Sequence, residues 1–267
     1  MNKKIGIFMK PEIIKMYLPY FLKYFLDLRE EMLEISKDKK KLIFLENRML
    51  LDFREFIQND LQTEMFNEVV LSKQSFVSFK AKDIKHFWTH SLINNRSGRT
   101  IDMSLSIDIT FFKESKPVFS LIYFPFRDIL YLAIVNDKNY YVHGVYNKFY
   151  SSVGKNFEDI FAEIVLSTHT GCKYGRNSEK KVEELIDLVD EMFVDCEAVK
   201  CTGSDCFIKL AKGEIDQYVY PSDSFLWESV SGYLFAKNIG KTMIQEDDNM
   251  EFDFSVFFYK MPHFKIS

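Results

Sequence analysis

At 267 residues with a formal net charge of −4, the chain is long enough for one large α/β unit or two closely packed halves, and it lacks the basic face needed to neutralise a row of nucleic-acid phosphates. Hydrophobic residues make up 47% and aromatic residues 16%, a composition that excludes a disordered chain. No apolar run approaches the roughly 18 residues a bilayer-spanning helix needs. Lys10, Glu12 and Lys15 also interrupt any leader-like core, so the expectation is a cytoplasmic protein with neither a membrane nor a nucleic-acid partner.

Residues 12–35 space Ile13, Ile14, Tyr17, Leu18, Phe21, Leu22, Phe25 and Leu28 at three- and four-residue intervals. This predicts an amphipathic helix with Pro19 as a candidate kink. The basic run 37–41 reads as a solvated helix end, and a second helical pattern covers 48–61 through Leu51, Phe53, Phe56, Ile57 and Leu61. Short strands are expected at 69–71 and 75–79. From residue 100 onward Ile101, Met103, Leu105, Ile107 and Ile109 alternate with Asp102, Ser104, Ser106, Asp108 and Thr110, as on the two faces of a strand. Residues 118–123, 129–135 and 139–145 then read as successive antiparallel strands, with Pro125, Asp128, Asp137 and Lys138 at the turns.

After about residue 155 strand and helix alternate: a strand at 160–166, a charged helix at 178–192, a strand at 198–201 and a helix at 207–212. A strand at 215–220 and a helix at 226–238, closed by Gly240, complete the series. The fold class is therefore α/β, divided into residues 1–150, which hold the N-terminal helices and an antiparallel meander, and residues 151–267, a smaller strand–helix half. The four cysteines are Cys172, Cys196, Cys201 and Cys206, the last three with four residues between successive members. Even spacing raises metal or iron–sulfur binding, but they form no C-x-x-C pair, and the favoured reading is scattered core thiols of a reduced cytoplasm.

The stretch Cys201-Thr-Gly-Ser-Asp-Cys-Phe-Ile-Lys-Leu-Ala-Lys-Gly-Glu-Ile-Asp-Gln-Tyr-Val-Tyr-Pro221 resembles the bacterial 3′(2′),5′-bisphosphate nucleotidase (CysQ-like) branch of the inositol monophosphatase superfamily. There a Gly-Ser pair precedes a helix, a small-residue-plus-Gly turn and a strand ending in Tyr-Pro. Trp227-Glu-Ser-Val-Ser-Gly232 is similar to the family's Trp-Asp-x-Ala-Ala-Gly helix start. Ser115-Lys-Pro-Val-Phe-Ser-Leu-Ile-Tyr-Phe-Pro-Phe-Arg-Asp-Ile-Leu-Tyr131 resembles its Gly-Lys-Pro-Val-x-Gly-Val-Val-Tyr-x-Pro strand pair, and Ile164-Val-Leu-Ser-Thr-His169 its Ser-Arg-Ser-His segment. The resemblance spans about residues 45–245 and implies a layered αβαβα, sugar-phosphatase-like sandwich. It also implies a homodimer and hydrolysis of phosphate monoesters with bound Mg²⁺.

The family draws its metal ligands from a Glu-Glu after a strand, from Asp-Pro-Ile/Leu-Asp-Gly-Thr after a Trp, and from the Asp of Trp-Asp. In this chain Lys73 stands where a metal-binding Glu is expected, His90 and Ile93 fall near the two expected Asp positions, and only Glu228 keeps a carboxylate. Asp83 is the only acid from Lys73 through Thr100, so sliding the alignment does not restore the ligand set. Hard divalent cations need several oxygen ligands, and an ammonium nearby opposes them, so Mg²⁺ is not expected to bind in the family manner.

Each candidate also has a plainer reading. Glu228 is a residual ligand or a first-turn acid favoured by the helix dipole. His90 is a soft-metal ligand, a general base or an exposed loop residue. Lys73 fills the place of a divalent ion or is a surface loop lysine. His143 and His169 are structural, and Trp88 and Trp227 pack in the core beside the former metal site. Gly203 and Ser204 form a candidate phosphate-facing turn at a helix N-terminus, where free amide hydrogens point outward. The expectation is a family member with lost or strongly reduced catalysis that retains an anionic or phosphorylated small-molecule ligand. The alternatives are an active phosphatase with a site rebuilt from Glu228, Asp83 and His90, or a purely structural partner.

Overall fold

The computed structural model describes residues 11–35, 39–59, 69–71, 86–93, 105–113, 116–146, 148, 157–177, 195–201, 203–220, 226–241, 243–245 and 264–266. Two helices open the fold, α1 (Pro11–Ile35) and α2 (Lys39–Asn59). Leu18, Phe21, Leu22, Phe25, Leu28 and Met32 of α1 meet Leu45, Met49, Phe53 and Ile57 of α2 as buried stripes at helical spacing, which is why both segments are helical. The second helix begins earlier than its apolar pattern indicates, because Lys39, Lys40 and Lys41 form its first turn.

The first sheet takes its strands in chain order: β1 (Val69–Leu71), β2 (His86–Ile93), β3 (Ser106–Lys113), β4 (Lys116–Phe124), β5 (Ile129–Ile134), β6 (Asn139–His143) and β7 (Ala162–Glu163). β1 runs parallel to β2, and every later neighbour is antiparallel, so the meander expected from 118–145 is present. Its turns use Asp128 and Asn136 at positive φ, 51° and 59°, a conformation that short polar side chains tolerate. The expected strand at 160–166 is not one strand. A single helical turn, α3 (Phe157–Ile160), leads into two-residue β7, and Val165 and Leu166 stand exposed. Backbone hydrogen bonds from Ile164 to Asn139 and from Ser167 to Lys212 fix this segment instead.

The second sheet has the order β11-β12-β10-β8-β9, from β8 (Cys172–Asn177), β9 (Cys196–Cys201), β10 (Gln217–Tyr220), β11 (Met243–Gln245) and β12 (Phe264–Ile266). Strands β9, β8 and β10 are parallel to one another. Two helices lie between the sheets, α4 (Ser204–Ala211) and α5 (Leu226–Asn238). Ile208, Ala211, Leu234 and Phe235 cover Ile122, Phe124, Tyr131 and Ala133 of the first sheet, while Phe207 meets Tyr218 of the second edge to face. The described layers are therefore helix, sheet, helix, sheet. The strand expected at 75–79 and the helix at 178–192 lie outside the described residues.

The four cysteines are not separate thiols: Cys172 pairs with Cys196 and Cys201 with Cys206 as disulfides. The expectation of scattered core thiols fails because β8 and β9 place the first two side by side in register, and α4 folds back directly after β9.

Candidate functional site

Strand β3 divides its side chains between two helical layers. Ile107, Ile109 and Phe111 face α1 and α2, which leaves Ser106, Asp108 and Thr110 on the face that α4 and α5 cover. Asp108 has no exposed surface. Ser106 Oγ donates to its Oδ1 at 2.7 Å and Ser204 Oγ, in the first turn of α4, donates to its Oδ2. One step along the strand, Thr110 Oγ1 donates to Ser231 Oγ of α5 at 2.8 Å and lies 3.1 Å from Ser120 Oγ of β4. These hydroxyls give a buried carboxylate and its polar neighbours the hydrogen bonds they would otherwise lose with water.

Gly203 precedes α4 with φ 49°, in the left-handed region that glycine enters without a Cβ penalty. That conformation sets the helix start directly over Asp108. Around the rim Asp205 pairs with Arg127 Nη1 at 2.6 Å and with Lys209 Nζ at 3.2 Å, and the Arg127 guanidinium lies 4.8 Å from the Phe124 ring centroid. Nearby, Lys212 sits over the Tyr131 ring and pairs with Glu214 at 3.5 Å. Burial pushes the Tyr131 hydroxyl above its ordinary range, and the Lys212 charge opposes that shift.

The sequence candidates are not all brought together here. Gly203 and Ser204 form the turn just described. His90 lies on the other face of the first sheet, enclosed by Tyr24 and Phe53, with Nε2 3.0 Å from the Tyr24 hydroxyl, which also donates to the Met49 carbonyl at 3.2 Å. The reading of His90 as an exposed loop residue is corrected, since it is a buried member of β2. Burial lowers its pKa to about 3, so the ring is neutral at ordinary pH.

Ile93 is the last residue of β2 and Glu228 lies in the first turn of α5, while Lys73 and Asp83 lie outside the described residues. Trp88 is fully buried against Phe21, Phe53 and Phe111, on the same face as His90. His143 is exposed at the end of β6. His169 Nε2 lies 2.9 Å from Asp216 Oδ2, which also accepts the Lys173 N–H at 2.8 Å. Burial acts to raise the Asp216 carboxyl, but the Lys173 N–H and the His169 contact outweigh it and hold the group below the usual carboxylate range.

Among the described residues no three His, Cys, Asp or Glu side chains converge as metal ligands. The two acids at the β3–α4 junction are already engaged, Asp108 by hydroxyls and Asp205 by cations. Asp108, Ser106, Arg127 and Asp205 were not singled out as site residues by their sequence motifs; the only signal was the position of Asp108 on the polar side of an alternating strand.

No model of a known protein family matches the sequence, and no curated protein matches it. Solved structures do match. CysQ from Bacteroides thetaiotaomicron, a bacterial member of the inositol monophosphatase family, is 15% identical with a TM-score of 0.68, over 92% of this chain and 93% of that one. A calcium-bound inositol monophosphatase (IMPase) family protein from Staphylococcus aureus is 16% identical with a TM-score of 0.68, over 95% and 90%. An IMPase/NADP phosphatase complexed with NADP and Ca²⁺ is 15% identical with a TM-score of 0.65, over 97% and 91%. At these identities the likeness is one of fold: the chain has the α/β architecture of the inositol monophosphatase family.

Proposed function

We propose that the chain is a bisphosphate-nucleotidase-like member of the inositol monophosphatase family in which Mg²⁺-dependent hydrolysis is lost or strongly reduced. In this reading the site at the Gly203–Ser204 turn retains a phosphorylated small molecule as its ligand. The observation that carries this is the state of the acids at the β3–α4 junction, where Ser106 and Ser204 occupy Asp108 while Arg127 and Lys209 occupy Asp205. Each carboxylate keeps lone pairs of its own, but the Arg127 and Lys209 charges held beside Asp205 oppose a divalent cation at this junction. Lys73 at an ancestral Glu position and the enclosed, neutral His90 support the same reading.

The ligand class follows the structural neighbours, among them a staphylococcal IMPase-II with bound 2′-AMP and the NADP complex. A panel of phosphate monoesters, including 3′-phosphoadenosine 5′-phosphate and inositol phosphate, run with and without Mg²⁺ tests the catalytic half. Turnover below about 0.01 s⁻¹ is expected, against roughly 1–10³ s⁻¹ for ordinary enzymes. Mg²⁺-dependent turnover in that ordinary range would overturn the proposal in favour of a rebuilt metal site. Lys73→Glu, run alongside, is expected to raise any residual Mg²⁺ dependence. Calorimetric titration with 2′-AMP tests the binding half, and no measurable heat at millimolar ligand would remove it.

A further inference from the structure

We propose that Cys201–Cys206 is a reversible redox clamp on the entrance to α4, opened and closed by exchange with low-molecular-weight thiols and disulfides of the glutathione class. Cys201 ends β9 and Cys206 lies in the first turn of α4, with Cα atoms 5.2 Å apart. Between them the chain carries Gly203 and Ser204, so the bond closes a short loop around the turn that aims Ser204 at Asp108. The second pair, Cys172–Cys196, joins neighbouring β8 and β9, with Cα atoms 4.6 Å apart. The two bonds in series tie β8 to β9 and β9 to α4.

With the clamp open, the α4 entrance is held by fewer and weaker ties. Those shown are the Ser204–Asp108 hydrogen bond, the pairs of Asp205 with Arg127 and Lys209, a 3.2 Å backbone bond from Cys206 N to Gly203 O and, one residue on, the packing of Phe207 against Tyr218. A loop held only by such contacts opens at lower free energy than one closed covalently. Cys201 and Cys206 are both buried, whereas Cys172 and Cys196 are half-exposed, so opening the clamp requires local movement before a thiolate can reach sulfur.

In the opening step a glutathione thiolate attacks one sulfur of the pair and releases the other as a protein thiolate. A second glutathione resolves the mixed disulfide, and the two protein thiols form as one oxidised glutathione is made. Closure is the reverse: the protein dithiol is oxidised and oxidised glutathione is reduced to two thiols, with no further reactant. The clamp does not depend on whether the site hydrolyses anything.

The test equilibrates the full chain in a series of reduced and oxidised glutathione ratios, traps free thiols by alkylation and maps the linked peptides by mass spectrometry. Hydrogen–deuterium exchange is read on the same samples. In oxidised glutathione the peptides are expected to show Cys201 linked to Cys206. As that bond opens, exchange across residues 203–211 should rise about tenfold or more while strand β4 stays protected. Four alkylated cysteines in oxidised glutathione, or unchanged exchange at 203–211 with the pair open, would overturn the proposal. The double variant Cys201→Ala/Cys206→Ala should reproduce the raised exchange in oxidising buffer and Cys172→Ala/Cys196→Ala should not. If the first double variant fails to fold, the titration of the unaltered chain decides alone.

Discussion

An ionised carboxylate taken out of water costs several kcal/mol unless hydrogen bonds replace the lost solvent, and at Asp108 the hydroxyls of Ser106 and Ser204 do so. The alternation of Asp108 with Ile107 and Ile109 was readable as a strand, but a polar face of an antiparallel strand ordinarily meets water. Nothing local in the sequence says that helices from a hundred residues later bring Ser204 and Ser231 down onto that face. His90 poses the converse case, a histidine among Ser and Asn residues that is enclosed by aromatic rings. Its folded-state pKa of about 3 lies below the ordinary 6.5, so the unfolded chain takes up the proton first as pH falls. The stability linked to His90 is therefore complete above pH 6.5 and is lost as pH drops toward 3. His90→Phe removes that linkage. In urea titrations down to about pH 4.5, the unaltered chain should lose close to 1.4 kcal/mol per pH unit more than the variant. Equal slopes would mean that the ring is not enclosed as described.

Helices α4 and α5 approach each other through Gly232, where a Cβ would overlap Cβ, Cγ and Cδ2 of Phe207. The Gly of the Trp227–Gly232 segment is thus explained by packing, which persists whatever has happened to the metal ligands. Gly232→Ala gains about 1 kcal/mol in helix propensity. It also forces a methyl into the stem of a fully buried ring, which turning the ring cannot relieve, and overpacking of this kind costs about 1–3 kcal/mol or more. A net loss near 2 kcal/mol is expected, a fall in Tm of roughly 4–8 °C for a domain of this size. Phe207→Leu in the same chain should recover part of it, as contacting residues do in a double-mutant cycle. An unchanged Tm for Gly232→Ala would contradict the close crossing.

At the same scale, the elements with a clean period were legible: α1 and the β4–β6 meander stand where their apolar spacing put them, α5 spans 226–238 as expected although its apolar residues follow no single face, and β3 begins and ends later than the alternation from 101 to 110 indicated. Strand β2 was not, because its Thr89 and Ser91 are buried polar residues rather than a solvent-facing set. Strand β8 was hidden by Gly175, where a Cβ would stand 2.7 Å from Ile215 Cδ1 and 2.9 Å from Cys201 Sγ; the residue serves close packing and carries no strand signal.

Whether residues 1–150 and 151–267 are separate units or one is decided by what crosses between them. Ile122, Phe124, Tyr131 and Ala133 of the first part are covered by Ile164, Ile208, Ala211, Leu234 and Phe235 of the second. Asn139 donates to the Phe235 carbonyl at 2.9 Å, Asn238 donates to the Ile134 carbonyl at 3.0 Å, and β7 completes the edge of the first sheet. Uncovering three large side chains at roughly 1.5–3 kcal/mol each costs about 5–9 kcal/mol, most of the 5–15 kcal/mol by which a typical domain is stable. Asp108 would also lose its hydrogen bond from Ser204. Residues 1–150 expressed alone are therefore expected to lack fixed side-chain packing, with far-UV circular dichroism retained but near-UV signal lost and the dye ANS bound. The intact chain should unfold in urea as one transition, with tryptophan fluorescence and far-UV signal coincident. A folded 1–150 fragment with native near-UV signal, or two separated transitions in the intact chain, would show that the α4–α5 layer contributes far less than its contacts indicate.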